Sequence, residues 1–174
     1  QVNIYNSYRI LAGGEQKSFQ SGGVDVTAFG FDYGAIGGLS GSSQTASYFF
    51  NAASSELSLF ASLVWNLGVS NDSALETTLR NLDLSLFDVT NNSLVASSAS
   101  TLDNTENLYF KLLLGNRYEM RVTTNESTSW DYTLAWRIDA NPAPVPIPPA
   151  AWLFITGALG LLLATRGART NRSS

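Results

Sequence analysis

Apolar side chains recur at every second position in the middle of this chain, and that period restricts the fold more than any other feature. Leu57, Leu59, Ala61, Leu63 and Trp65 share one parity, and Leu82, Leu84 and Leu86 repeat the rule against Asp83 and Ser85. Successive side chains of a strand point to opposite faces, so this spacing makes half-buried strands, whereas a helix needs apolar residues three and four apart. The same reading predicts strands at 24–33, 44–50, 57–66, 82–88, 94–97, 106–112, 117–123 and 130–138. Turn residues separate them at Gly37-Gly38, Asn91-Asn92, Gly115-Asn116 and 125–129, with Asn91-Asn92 the tightest hairpin signal. Short strands with no long helix between them bury their apolar faces against a second sheet. The expected class is therefore all-β, an antiparallel sandwich over residues 15–139.

Ahead of it, Val2, Tyr5, Tyr8 and Leu11 recur at three-residue spacing, with Ile4 near the same face. This predicts a short amphipathic helix within residues 1–14, ended by Gly13-Gly14. So short a helix is marginal alone and must pack on the β domain or on sequence upstream. The stretch from Gln1 to Tyr8 resembles the helix that follows the catalytic core of subtilisin-like proteases, with Asn3 at the matching position. That resemblance implies an alternative role, the accessory C-terminal part of a longer secreted protease. Residues 1–11 lack the basic start and apolar core of a signal peptide, so an exported domain has either lost its signal or continues a longer chain.

Composition closes several chemistries. The chain has no Cys and no His. That excludes disulfides, thiolate or imidazole metal ligands, and Ser-His-Asp or Cys-His triads. Ten bases stand against fourteen acids, for a net charge of −4. Nucleic acid and anionic membrane surfaces are gripped by Lys and Arg, so neither is expected as a partner of the outer domain.

A second resemblance covers residues 57–138. Asn81-Leu-Asp-Leu-Ser-Leu-Phe-Asp88, Leu94 to Ser98, Asp103 to Glu106, Leu114-Gly115, Tyr118 to Val122 and Asp131 to Leu134 occur in the order of the bacterial pre-peptidase C-terminal domain. That family is a small jelly-roll-like β-sandwich appended to secreted peptidases and other exported proteins. The chain departs from it at Leu113-Leu114-Gly115-Asn116, where the family has a Pro-Gly turn.

The C-terminal part reads differently. Residues 140–149 hold Val145, Pro146, Ile147, Pro148 and Pro149, an extended proline spacer. An uncharged run then extends through 150–165, starting with Ala150, Ala151 and Trp152, and a basic tail at 166–174 carries Arg166, Arg169 and Arg172. About fifteen apolar residues make roughly 22 Å of helix against a hydrocarbon core of ~30 Å, and the flanking prolines and arginine stems extend that reach. One short transmembrane helix is expected, with the arginines cytoplasmic and the sandwich outside. These parts resemble the PEP-CTERM type of C-terminal sorting signal in its Val-Pro-x-Pro variant, with Ile147 where the Glu of Pro-Glu-Pro stands. The resemblance implies an exported protein of a Gram-negative bacterium. It would be held briefly in the inner membrane, cut near the proline motif by an exosortase-type membrane transpeptidase, and passed to the cell surface or extracellular matrix. Such a cut leaves seven bases against fourteen acids.

Two candidate sites lie in the outer domain. Asp72, Asp83, Asp88, Asp103, Asn104, Glu106 and Asp131 crowd the expected loop ends, and Asp83, Asp103 and Glu106 are the calcium candidates among them. Strand edges and Asx turns account for the same residues, and their spacing matches no loop with fixed ligand positions, so no cofactor is required. Trp65, Tyr109, Trp130 and Trp136 are candidates for a carbohydrate platform, and core packing is the competing role. Trp130, beside the polar stretch 123–129, is the one expected at the surface. Paired-carboxylate catalysis needs two acids held across a cleft, and a sandwich offers no obvious cleft. The expected function is non-catalytic: attachment or structure at the surface. The alternative is a module binding an exopolysaccharide or a surface protein.

Overall fold

The alternating pattern becomes two facing sheets in the computed structural model, which describes residues 3–38, 45–70 and 75–140. A helix, α1 (Ile4–Gly13), precedes ten strands in the described residues: β1 (Phe29–Ile36), β2 (Thr45–Asn51), β3 (Leu57–Trp65), β4 (Gly68–Val69), β5 (Thr77–Thr78), β6 (Leu82–Asp88), β7 (Ser93–Ser98), β8 (Thr105–Lys111), β9 (Arg117–Thr124) and β10 (Trp130–Ala140). One sheet runs β1-β10-β3-β8, the other β2-β9-β6-β7, and β4-β5 form a small hairpin apart. The β6–β7 hairpin is the tip of a long antiparallel ribbon, along which β3 pairs with β8, β2 with β9 and β1 with β10. Wrapping that ribbon over itself places alternate ribbon pairs in opposite sheets, which is the jelly-roll arrangement.

Side chains of one parity fill the space between the sheets. Leu59, Leu63, Leu134 and Trp136 from the first sheet meet Tyr48, Leu84, Leu86, Met120 and Val122 from the second, all buried. Each fully buried Leu contributes about 1.5–3 kcal/mol relative to exposure, so period two is also the main energetic term of the fold. The tryptophans keep their indole N–H groups satisfied: Trp65 donates to the Arg80 carbonyl at 2.8 Å and Trp136 to the Thr27 carbonyl at 2.9 Å.

Several expectations need correction. The strand expected at 24–33 is regular only from Phe29: ahead of it Val26 N–H turns to the Phe49 carbonyl of the other sheet at 2.7 Å, and the Gln16 side chain accepts from Thr27 N–H at 2.7 Å and donates to the Phe29 carbonyl at 2.9 Å. The helix starts at Ile4, capped by the Asn3 side chain accepting from Asn6 N–H, and it presents a different face from the one expected. Ile4, Tyr5, Tyr8 and Leu11 are all exposed, and the less exposed line is Asn6, Arg9 and Ile10. Gly13 ends that line against β1, where a Cβ would stand 2.1 Å from the Phe29 carbonyl oxygen, so the helix approaches the sheet through a residue with no side chain. At Asn91-Asn92 no two-residue turn forms. The β6–β7 link spans residues 89–92 with only Asn92 at positive φ (51°), because the Asp88 carboxylate accepts from Asn91 N–H and from the amides of Asn91 and Asn116. The β4–β5 hairpin, two residues a side, was too short to leave a period in the sequence.

Among the described residues no helix is long and apolar enough to cross a membrane. The expected transmembrane helix, the proline motif, Trp152 and the three tail arginines lie outside the described residues, as does Asp72.

Candidate functional site

The outer face of the first sheet gathers the chemistry. Strand register sets Phe29 beside Arg137, Arg137 beside Phe60 and Phe60 beside Tyr109, one row across all four strands. Their shared parity is opposite to the core residues, so they point outward. The Arg137 guanidinium lies 3.5 Å from the Phe60 ring centroid, and Arg9, reaching down from α1, lies 3.7 Å from that of Phe29. Tyr109, 55% exposed, tilts against Phe60 at 4.8 Å. The next row out is small and polar: Ala135 beside Ser62, and Ser62 beside Asn107. The drop from large to small leaves a recess of about 410 Å³ lined by Ile10, Phe60, Ser62, Asn107, Tyr109 and Arg137.

The two arginines differ in their partners. Arg9 holds Asp139 at 2.9 Å. Arg137 has no carboxylate within ion-pair distance among the described residues, and its charge rests on the π-face beneath it. Burial pushes its pKa below the usual arginine value; Asp139 opposes that shift and the neighbouring Arg9 adds to it. The group stays a cation at neutral pH.

Inside the sandwich lies a separate polar cluster. Tyr48 Oη donates to Asp32 Oδ2 at 2.7 Å and shares a 2.6 Å hydrogen bond with Tyr132 Oη. Burial pushes Tyr132 up to about 12 and Tyr48 far above the ordinary tyrosine range. Burial also raises the Asp32 carboxyl, and the donated hydrogen bonds from Tyr48 and Ser18 N–H only partly offset it. The cluster ties β1 and β10 to β2 across the core.

The acids singled out by sequence are dispersed. Asp88 closes the β6–β7 turn. Asp103 accepts from Ser100 Oγ at 3.0 Å, Glu106 from Ser98 Oγ and Ser100 N–H, Asp131 from Tyr33 Oη at 3.2 Å, and Asp83 from the Asn81 amide at 3.1 Å. The Asn104 amide donates to the Trp65 carbonyl at 2.7 Å. Of the three calcium candidates, Asp83 has its pKa raised by burial, with the Asn81 hydrogen bond opposing and the nearby Glu106 charge adding to the shift. Among the described residues no three carboxylates are grouped so as to hold a metal ion.

The aromatic candidates divide as well. Trp65 and Trp136 are core residues. Trp130 is half-buried, with its indole N–H on the Asn66 carbonyl at 2.8 Å, Arg80 over its ring at 5.7 Å and Gly68 against its edge. Tyr109 is the candidate that stands in the recess. Sequence reading missed Arg137, Phe60 and Asn107. Their parity was legible, but their adjacency depends on a register between strands far apart in the chain.

Fold and site together define an antiparallel jelly-roll sandwich with a solvent-facing recess on one sheet. No protein-family model and no curated protein matches the sequence. Among solved structures, similarity extends to the pre-peptidase C-terminal domain of a Bacillus anthracis collagenase (15% identity, 71% of this chain and 90% of that one, TM-score 0.44). It extends also to a periplasmic inhibitor of g-type lysozyme from Aeromonas hydrophila (13%, 63% and 84%, 0.40) and to the Yersinia pseudotuberculosis-derived mitogen (14%, 67% and 88%, 0.41).

Proposed function

We propose that this chain is an exported, non-catalytic sandwich module that binds a ligand in the recess on the outer face of its first sheet. The observation that carries the reading is that recess, where Arg137, without an ion-pair partner among the described residues, and an exposed Tyr109 flank Ala135, Ser62 and Asn107. Catalysis is not assigned, because the chain has neither His nor Cys and its recess holds no pair of acids. Incubated with a panel of glycans and peptides, the protein is expected to bind without turnover. Release of a product would overturn the non-catalytic reading, and silence from the whole panel would overturn the binding one.

The C-terminal sequence supports a delivery route. A proline motif at 145–149, an uncharged run and three arginines suit a temporary inner-membrane anchor cut by an exosortase-type transpeptidase, with the sandwich released to the cell surface or matrix. The intact mass of the mature protein from cells is expected to lack residues 150–174. Retention of that segment in the final product would defeat the processing claim.

A further inference from the structure

The recess has a chemistry narrower than "ligand". The domain is poor in bases, and five of the seven that precede the proline motif, Arg9, Arg80, Lys111, Arg117 and Arg121, each hold a carboxylate. Arg137 does not. Its guanidinium lies over the Phe60 ring in the centre of the sheet, 3.5 Å from the centroid and partly desolvated, in a recess that Ser62 and Asn107 also line. A planar guanidinium fixed in this way is matched by a planar carboxylate, which it can grip through two parallel N–H···O bonds. Tyr109 lies two strands away in the same row, about 10 Å at ordinary strand spacing, and presents an exposed ring that suits a flat, partly apolar surface. Asn107 and Ser62 supply amide and hydroxyl groups between them.

We propose that the recess binds an acidic glycan, a uronate-bearing polysaccharide whose carboxylate pairs with Arg137 and whose neighbouring ring stacks on Tyr109. This rests on the binding reading above and names its substrate class. An acidic peptide would also offer a carboxylate. An extended peptide, however, gains affinity by joining the backbone of a sheet edge, whereas the recess is centred on β3, which is paired on both sides, and takes from the edge strand β8 the outward side chains Asn107 and Tyr109. A nucleic acid or membrane would need several cations; among the described residues only Arg137 and Lys17 hold no carboxylate, and Lys17 lies outside the recess.

The test uses the full chain in mild detergent at ~0.15 M salt, where charges beyond ~8 Å are screened and the domain's overall negative charge weighs little. Titration calorimetry would compare three probes: oligogalacturonate, its carboxyl-reduced neutral counterpart, and polyglutamate. Oligogalacturonate is expected to bind. Arg137→Gln should weaken it roughly tenfold to a hundredfold, the loss of a charge-assisted pair, and Arg137→Lys should recover only part of it. Tyr109→Ala should weaken both glycans. All three variants change outward-facing side chains, and their melting temperatures verify that the sandwich persists. Equal binding of the neutral counterpart, or indifference to Arg137→Gln, overturns the acidic-glycan inference while dependence on Tyr109 keeps the recess. Polyglutamate binding as tightly as the uronate also overturns it. Binding indifferent to both Arg137→Gln and Tyr109→Ala removes the recess reading too. Silence from all three probes overturns the inference.

Discussion

Trp136→Ala is expected to cost about 3–5 kcal/mol, a large part of the ~5–15 kcal/mol that holds a domain of this size together. Trp136 is fully buried, and its ring lies 5.7 Å from that of Tyr48 in the facing sheet. Its flanking partners on β1 and β3 are Gly30 and Ala61, a small-large-small row across the inner face. Gly30 is crowded by the Gln16 amide and by the indole: a Cβ there would stand 2.3 Å from Gln16 Nε2 and 2.8 Å from Trp136 Cζ2. Truncation would therefore leave a void walled by residues with nothing to extend into it, so little of the transfer loss is recovered by collapse. It would also strand the Thr27 carbonyl, which now accepts the indole N–H at 2.9 Å. A urea midpoint measures the change at constant m. A loss under ~1 kcal/mol would mean that the row does not carry the core.

That row shows what the sequence made legible and what it did not. Parity placed Leu59, Ala61 and Leu63 on one face, and all three are buried, because a strand has only two faces and one of them must be apolar. The bounds of β6 coincide with those predicted, since Asn81 and the polar stretch after Asp88 bracket an unbroken alternation. Register was not legible. Nothing local to Arg137 says that Phe60, 77 positions earlier, will lie beneath it, and the recess exists only through that juxtaposition. The helix face failed for a related reason: Tyr5, Tyr8 and Leu11 have helical spacing, yet the approach to β1 is decided by Gly13, whose missing side chain lets the backbones touch. Asp32 gave no signal beyond a charge in an apolar strand.

Asp32 makes the stability of this protein depend on pH in an unusual sense. Its carboxyl is raised above 3.8 in the fold, chiefly by burial, with Glu15 adding to the shift and Lys17 opposing it. The folded state therefore favours the neutral acid. Its contribution is fully present below the unfolded pKa and is lost as pH rises through the folded value, at about 1.4 kcal/mol for each unit separating the two. Asp88 works the other way. Burial would raise it, but the hydrogen bonds from Asn91, Asn116 and Thr90 outweigh that and hold its pKa low, so its contribution is present above 3.8 and lost as pH falls. Comparing the parent with Asp32→Asn isolates the first effect, because Asp88 is common to both. The parent should lose stability relative to the variant as pH rises from about 4. Tyr48→Phe should shift the window higher, because the 2.7 Å hydrogen bond it removes is the strongest interaction favouring ionised Asp32, and should cost about 1–3 kcal/mol at neutral pH by leaving that carboxylate buried with one donor fewer. Urea melts from pH 3.5 to 8 would read both effects, since a parent-minus-variant difference that stays flat across the range means that Asp32 ionises in the fold as readily as in the unfolded chain.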